Sequence, residues 1–302
     1  MMHKHYMGAS DIPQLSSSSI VEFRTNQCRA LRGVFDALKD HIVDISFLFS
    51  KEGVKVMQFS GVHTFLVSIK LDADEFQHYY CRETEGYVEI NVSLSNIHKI
   101  FKAINNEDNQ ITWIYKEDGE DDVLTILVSS DKKNEERQFD IRLQEPDEDP
   151  NQRIDIAGTA DFPYSLTMPC ADLQRICRDL KNMNAKYVDI TYNGNSISFE
   201  TRTETCSKCR IVRRQSDDDD ADSNVKFIKT PVNCIYKDRF KFELINSFSK
   251  CAQTGSSGGG ANVVRMLLNQ GQIMILQFSI GTLGELNIAI APYSDVDHVN
   301  DD

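Results

Sequence analysis

Apolar positions along the chain follow two rhythms, and the points where one replaces the other mark its elements. Leu31, Val34, Phe35 and Leu38 recur at the i, i+3, i+4, i+7 spacing of a helix with one buried stripe, as do Leu173, Ile176, Cys177 and Leu180. The spacing predicts helices over 28–40 and 171–183. These two stretches are one pattern written twice: a displacement of 142 positions lays Cys28 on Cys170, Leu31 on Leu173, Val34 on Ile176, Leu38 on Leu180 and Lys39 on Lys181. Two more helices are predicted, at about 94–104 with Leu94, Ile97, Ile100, Phe101 and Ile104 inward, and at about 240–252 with Phe242, Ile245 and Phe248 inward.

Between the helices the segments are β-rich and bounded by turn residues. In the first half, 43–49, 54–60, 63–71, 86–93, 110–116, 122–130 and 137–143 read as strands; in the second, 187–193, 196–202, 206–214, 224–229, the region around 232–238, 263–269, 273–280 and 285–292. The connections in the first half are short enough for neighbouring strands to run antiparallel. The expected fold class is α+β, with two duplicated domains at 20–143 and 162–302, a tail at 1–19 and a linker at 144–161. That linker carries two prolines and several carboxylates around an isolated Ile154 and Ile156. The two isoleucines either pin it to a domain surface or offer a contact to another protein.

Charge changes the picture of the helices. The chain has a formal net charge of -13, yet the outward faces of the predicted helices gather Arg29, Arg32 and Lys39, then Lys99 and Lys102, then Arg175, Arg178 and Lys181, and finally Lys250. Asp36 and Asp179 are the acidic exceptions. Concentrated cations on repeated elements of an acidic protein point to a polyanion held against those faces. Attraction to phosphate acts over a Debye length of roughly 8 to 10 Å at physiological salt, so a basic concavity can hold DNA while the exterior stays acidic. Base reading is disfavoured, because no zinc finger or recognition-helix turn is present and aromatic residues do not alternate with the cations. Contact with phosphate, independent of base order, is what remains.

Catalytic constellations do not emerge. The chain lacks HExxH and a Walker lysine, and the glycine run Gly258 to Gly260 is not followed by GK[ST]. Cys206 and Cys209 form a lone CxxC without a second pair at zinc spacing. The run Asp217 to Asp220 lacks the spaced ligands of a calcium loop and reads as a solvated turn. No run approaches a membrane span, and the start of the chain lacks a signal-peptide core, so an intracellular protein with reduced thiols is expected. No enzyme activity, cofactor or metal is expected. The rivals from other classes are a metal-dependent DNA-modifying enzyme using the acidic clusters, and a scaffold without DNA contact.

Several separate stretches carry a resemblance: LQRICRDL (173–180), VFDALKD (34–40), KIFKAINNED (99–108) and the closing IAPYSDVDHVNDD. From Val21 onward the chain resembles, in order, the eukaryotic sliding clamp family, proliferating cell nuclear antigen. The resemblance implies a homotrimeric ring that encircles duplex DNA, with helices lining the hole and sheets outside, acting as a polymerase processivity factor. It implies that Arg32, Lys39, Lys99, Lys102, Arg175, Arg178 and Lys250 face the duplex; Gly33 and Glu243 stand where the family usually has a basic residue, and Lys181 adds one. It implies that DNA polymerase, the clamp loader and other proteins dock through a glutamine and aromatic motif at Phe59, Val62 and His63, at Ile154 and Ile156, near Ile273, and at Ile290, Ala291 and Pro292. Edge-strand pairing between subunits would involve Phe139 and Ile141 on one strand and Cys209, Ile211 and Arg213 on the other, with Arg210, Arg213 and Arg214 suited to Glu135, Glu136 and Asp140. A checkpoint-type subunit of a heterotrimer is the rival within the family. The compartment implied is the nucleus, or a viral replication site if a large DNA virus encodes the chain.

Overall fold

The computed structural model describes residues 19–60, 64–83, 85–104, 110–116, 122–145, 162–204, 206–214, 225–229, 231, 234–253 and 262–293. The first half runs β1 (Ser19–Thr25), α1 (Cys28–Leu38), β2 (Asp44–Ser50), β3 (Gly53–Phe59), β4 (Phe65–Asp72), β5 (His78–Cys81), β6 (Val88–Ser93), α2 (Leu94–Ala103), β7 (Gln110–Lys116), β8 (Val123–Ser130) and β9 (Glu135–Arg142). The second repeats that order as β10 (Tyr164–Pro169), α3 (Cys170–Asn182), β11 (Tyr187–Tyr192), β12 (Ser196–Thr201), β13 (Cys209–Arg214), β14 (Lys226–Lys229), β15 (Tyr236–Lys241), α4 (Phe242–Phe248), β16 (Val263–Leu268), β17 (Met274–Ile280) and β18 (Gly284–Ile290). The duplication read from the two helices therefore extends to every strand.

The sheets distribute this duplication unevenly. A nine-stranded sheet runs β14-β10-β16-β17-β18-β4-β3-β2-β6, so five strands of the second half join four of the first where β18 meets β4. The complementary sets stand apart as a five-stranded sheet, β5-β1-β7-β8-β9, and a four-stranded sheet, β13-β12-β11-β15. The helices lie over the inner faces of the sheets, each presenting its apolar stripe: Leu31, Val34, Phe35 and Leu38 from α1, and Leu173, Ile176, Cys177 and Leu180 from α3, are all buried. Trp113 centres the first half, its ring 5.2 Å from both Phe23 and Phe47.

Three contacts fasten the halves. The strands β18 and β4 pair over seven residues, from Gly284 opposite Leu71 to Ile290 opposite Phe65. A Cβ at Gly284 would lie 2.0 Å from the Lys70 carbonyl oxygen, so only glycine lets β4 approach. Behind the sheet α1 packs on α4 and its 3-10 extension, and the Phe248 ring sits 5.0 Å from Phe65 and 5.4 Å from His41. At the start of α1, Gln27 grips the turn before β18, with the Thr282 amide donating to its side-chain oxygen at 3.0 Å.

Three strands were not anticipated. In β1 the inward Val21 and Phe23 flank Glu22, which is itself buried, so the strand lacks a clean alternation; β10 mixes Ser165 and Thr167 with its apolar residues and ends in Pro169, and β5 is only four residues long. The predicted helix over 240–252 is α4 followed by a 3-10 helix, Ser249–Gln253, as the Ser249 hydroxyl donates to the Asn246 carbonyl at 2.7 Å and tightens the chain.

Candidate nucleic-acid and partner interfaces

The outward faces of α1 to α4 form one layer, because α1 packs on both α2 and α4, and α3 on α4. Arg29, Lys39, Lys99, Lys102, Arg175, Arg178, Lys181 and Lys250 are all exposed on it, and Arg32 is half-buried. Their electrostatic settings differ. Arg32 donates to the Ile104 carbonyl at 3.0 Å and lies 3.6 Å from Asp36, so it also ties α1 to the end of α2. His98 Nε2 sits 2.8 Å from Asp36 and 3.4 Å from Lys39 Nζ. Arg175 lies between Asp172 at 3.4 Å and Asp179 at 3.8 Å, while Lys99 reaches Asn96 at 3.4 Å. Arg29, Lys102, Arg178 and Lys181 have no side-chain partner among the described residues. Lys102 and Lys181 occupy the last turns of their helices, where the carbonyl ends favour a cation.

The opposite face of the nine-stranded sheet carries an apolar row that the sequence did not reveal. Leu267 on β16 pairs with Ile275 on β17, Ile275 with Ala289 on β18, Ala289 with Leu66 on β4, and Leu66 with Phe59 on β3. One straight line of side chains thus crosses the junction between the halves, and Phe162 packs on it where the second half begins. Of the anticipated partner-binding residues, Phe59 belongs to this row, Ile273 is exposed at the turn before β17, and Ala291 and Pro292 continue β18, with the Ala291 amide donating to the Thr64 carbonyl at 3.1 Å. Ile290 is a correction: it is 0 % exposed and faces the inner core with Ile288, so Ala289 takes the outward place. The alternation along β18 contained that information. Val62, His63, Ile154 and Ile156 lie outside the described residues.

The strands named for subunit contact, β9 and β13, each end the order of their sheet. Ile141 is buried, while Phe139, Cys209 and Ile211 are half-buried against the main core, as expected where an apolar layer stops at a sheet edge. Arg213 turns inward, its guanidinium meeting Asp172 of α3. Arg210 reaches the Ser198 hydroxyl at 3.5 Å, and Lys208 pairs with Glu200 at 3.1 Å.

Reactive groups are sparse. Among the described residues no cluster of three metal-ligating side chains occurs, and no helix is long and apolar enough to cross a membrane. Burial pushes the Cys170 and Cys177 thiols up to about 12, leaving them protonated and inert at neutral pH. A cavity of about 660 Å³ is lined by Asn184, Lys186, Tyr187, Arg202, Thr203 and Glu204, none of them paired as nucleophile and base.

Comparison with known proteins agrees with this arrangement. The family model for the proliferating cell nuclear antigen N-terminal domain matches residues 20–152, and that for the C-terminal domain matches 158–293. The chain is 26% identical over 277 residues to a probable DNA polymerase sliding clamp of Paramecium bursaria Chlorella virus 1, covering 90% of this chain and 97% of the viral one. It is 26% identical over 271 residues to proliferating cell nuclear antigen of Dictyostelium discoideum, and 24% over 274 residues to that of Chaetomium thermophilum, covering in each case 90% of this chain and 98% of the relative. With both domain models matched in order across a duplicated fold, the chain belongs to the proliferating cell nuclear antigen family and is a DNA sliding clamp.

Proposed function

We propose that three copies of the chain close head to tail into a ring, that duplex DNA threads the hole against the helical layer, and that the ring acts as a processivity factor without enzymatic activity of its own. The observation that carries this reading is the division of the sheets. One five-strand set and one four-strand set are joined within the chain at β18 and β4, while the other two sets end in the open edges β9 and β13. An open edge is a template for pairing with another chain, and a head-to-tail contact of unlike edges makes a ring when the rotation closes. The cations of the helical layer would then line the hole. Single exposed lysines and arginines track phosphates through weak, exchangeable contacts, and closure rather than affinity retains the ring, which leaves it able to slide.

DNA polymerase, the clamp loader and other proteins with a glutamine and aromatic motif would dock on the outer face of the nine-stranded sheet, at the half-buried Phe59 and at Ile273, Ala291 and Pro292, with Ile154 and Ile156 of the linker as further apolar contacts. The site of action is wherever replication proceeds, the nucleus or a viral replication site. Mass photometry and electron microscopy of the purified chain test the ring: a three-chain particle with six lobes is expected. A chain that stays monomeric at every concentration would refute a homotrimer and turn the reading toward one subunit of a mixed ring.

A further inference from the structure

The intrachain junction provides a template for the one between copies. Ser93 enters α2 as Lys241 enters α4, and the strand registers followed from there set β4 against β13, with Val67 on Cys209 and Ile69 on Ile211. On the other side the strands are laid over each other by their inward residues, Val21 on Tyr164 and Phe23 on Leu166, one position beyond the displacement of the helices that follow them, and the registers then set β9 against β18, with Phe139 on Ile288 and Ile141 on Ile290. The apolar row Leu267, Ile275, Ala289, Leu66, Phe59 then corresponds to Ile114, Thr125 and Asp140 on one side of the open junction and to Lys208 and Arg202 on the other. Ile114, Thr125 and Asp140 are indeed cross-strand neighbours.

We infer that the contact between copies repeats the register of β18 on β4 but replaces its apolar row by an ion pair, Asp140 of one chain facing Lys208 of the next. This deepens the ring reading and rests on it. In the same register Phe139 faces the next chain's Cys209, Gln138 faces Arg210, Glu135 faces Arg213, and Glu136 lies diagonally between Arg210 and Arg214. The edges differ in charge: β13 and the residue before it carry Lys208, Arg210, Arg213 and Arg214 with no acid, whereas β9 carries Glu135, Glu136 and Asp140 beside Arg137, which pairs with Glu135 at 3.6 Å, and Arg142. Each partner is already held. Asp140 accepts from the Thr125 hydroxyl at 2.8 Å and from Gln138 at 3.1 and 3.0 Å, and Lys208 is oriented by Glu200 at 3.1 Å. Closing the ring would join them into one line, Glu200 to Lys208 to Asp140, on the outer face. Such a contact is screened by salt, whereas the Ala289 to Leu66 contact is not.

The test uses the full chain with Asp140→Lys, Lys208→Glu and the double exchange, followed by mass photometry across concentration and salt, with thermal melts to establish that each variant is folded. Each single variant should raise the trimer dissociation constant at least about tenfold, since like charges then meet across the junction, and the double exchange should return it to within about threefold of the parent. Mixing the two single variants should give two-chain species without closed trimers, because an odd ring of two kinds of chain must contain one like-charged contact. Singles that assemble like the parent, or rescue by Glu136→Lys with Arg210→Glu in place of the Asp140 and Lys208 exchange, would overturn the register while leaving the ring intact. A parent chain that never assembles would overturn the ring itself.

Discussion

Arg178 offers the sharpest perturbation of the helical layer. It is exposed on α3 without a side-chain partner among the described residues, in contrast to Arg175 one turn before it, which is held by Asp172 and Asp179. In a ring of three chains, Arg178→Ala removes three cations from the hole. Each phosphate contact on B-form DNA contributes about 0.9 to the slope of log K against log salt, so three contacts are worth about 2.7. Over a threefold change in salt that corresponds to a difference of roughly 20-fold in binding. The control is Lys237→Ala, which changes net charge equally but lies on β15 between the inward Tyr236 and Asp238, pointing away from the helices. Fluorescence anisotropy with a short linear duplex across a salt series measures both slopes. The expected result is a shallower slope for Arg178→Ala and an unchanged slope for Lys237→Ala. Equal slopes for the two variants would mean that overall charge, not the helical layer, governs DNA contact, and the placement of DNA would be wrong.

Three further outcomes follow from the packing and the chemistry. Phe248→Ala empties a fully buried site between the halves beside Phe65 and His41 and should cost about 3 to 5 kcal/mol in urea unfolding; a loss below about 1 kcal/mol would show that this ring does not bridge them. Phe59→Ala trims the half-buried ring of the outer row and should strongly reduce polymerase stimulation while leaving assembly intact by mass photometry; full stimulation would remove Phe59 from the docking surface. The Cys170 and Cys177 thiols are raised by burial from 9.0 to about 12, so unfolding above pH 9 releases their protons; their stabilisation is full below that pH and falls as pH rises toward 12, and burial raises Tyr79 and Tyr236 in the same sense. The melting temperature should therefore decline between pH 9 and 11, and a flat profile would contradict the burial of these groups.

Local periodicity made the helices and most strands legible, because Leu31 to Leu38 and Leu173 to Leu180 report their own burial without reference to the rest of the chain. The exposed cations were legible for the same reason. What escaped were features set by distant partners. The row from Leu267 to Phe59 is assembled from five strands whose neighbours are fixed only by the fold, and its central contact spans Ala289 and Leu66. Ile290 stands with Ala291 and Pro292 among the docking positions that the resemblance implies, yet a shift of one position along a strand exchanges the two faces and turns its side chain into the inner core. Lys208 stood inside the CxxC motif, where the cysteines drew the chemistry; its place at a junction emerges only when the two halves are laid over each other. The strand β1 lies between β5 and β7 in its sheet, and its buried Glu22, 3.7 Å from His78, disguised it as polar sequence.

Topological enclosure of DNA by a ring is tested most directly by retention on circular and cut plasmids. The chain is incubated with a nicked circular plasmid, a clamp loader and ATP, the complex is washed at a salt concentration that screens phosphate contacts, and the plasmid is then cut once. Enclosure predicts that the protein stays on the circle through the wash and leaves promptly after the cut, sliding off the new ends. Release in the wash, or retention unchanged by the cut, would show that the chain holds DNA by contact rather than by encirclement.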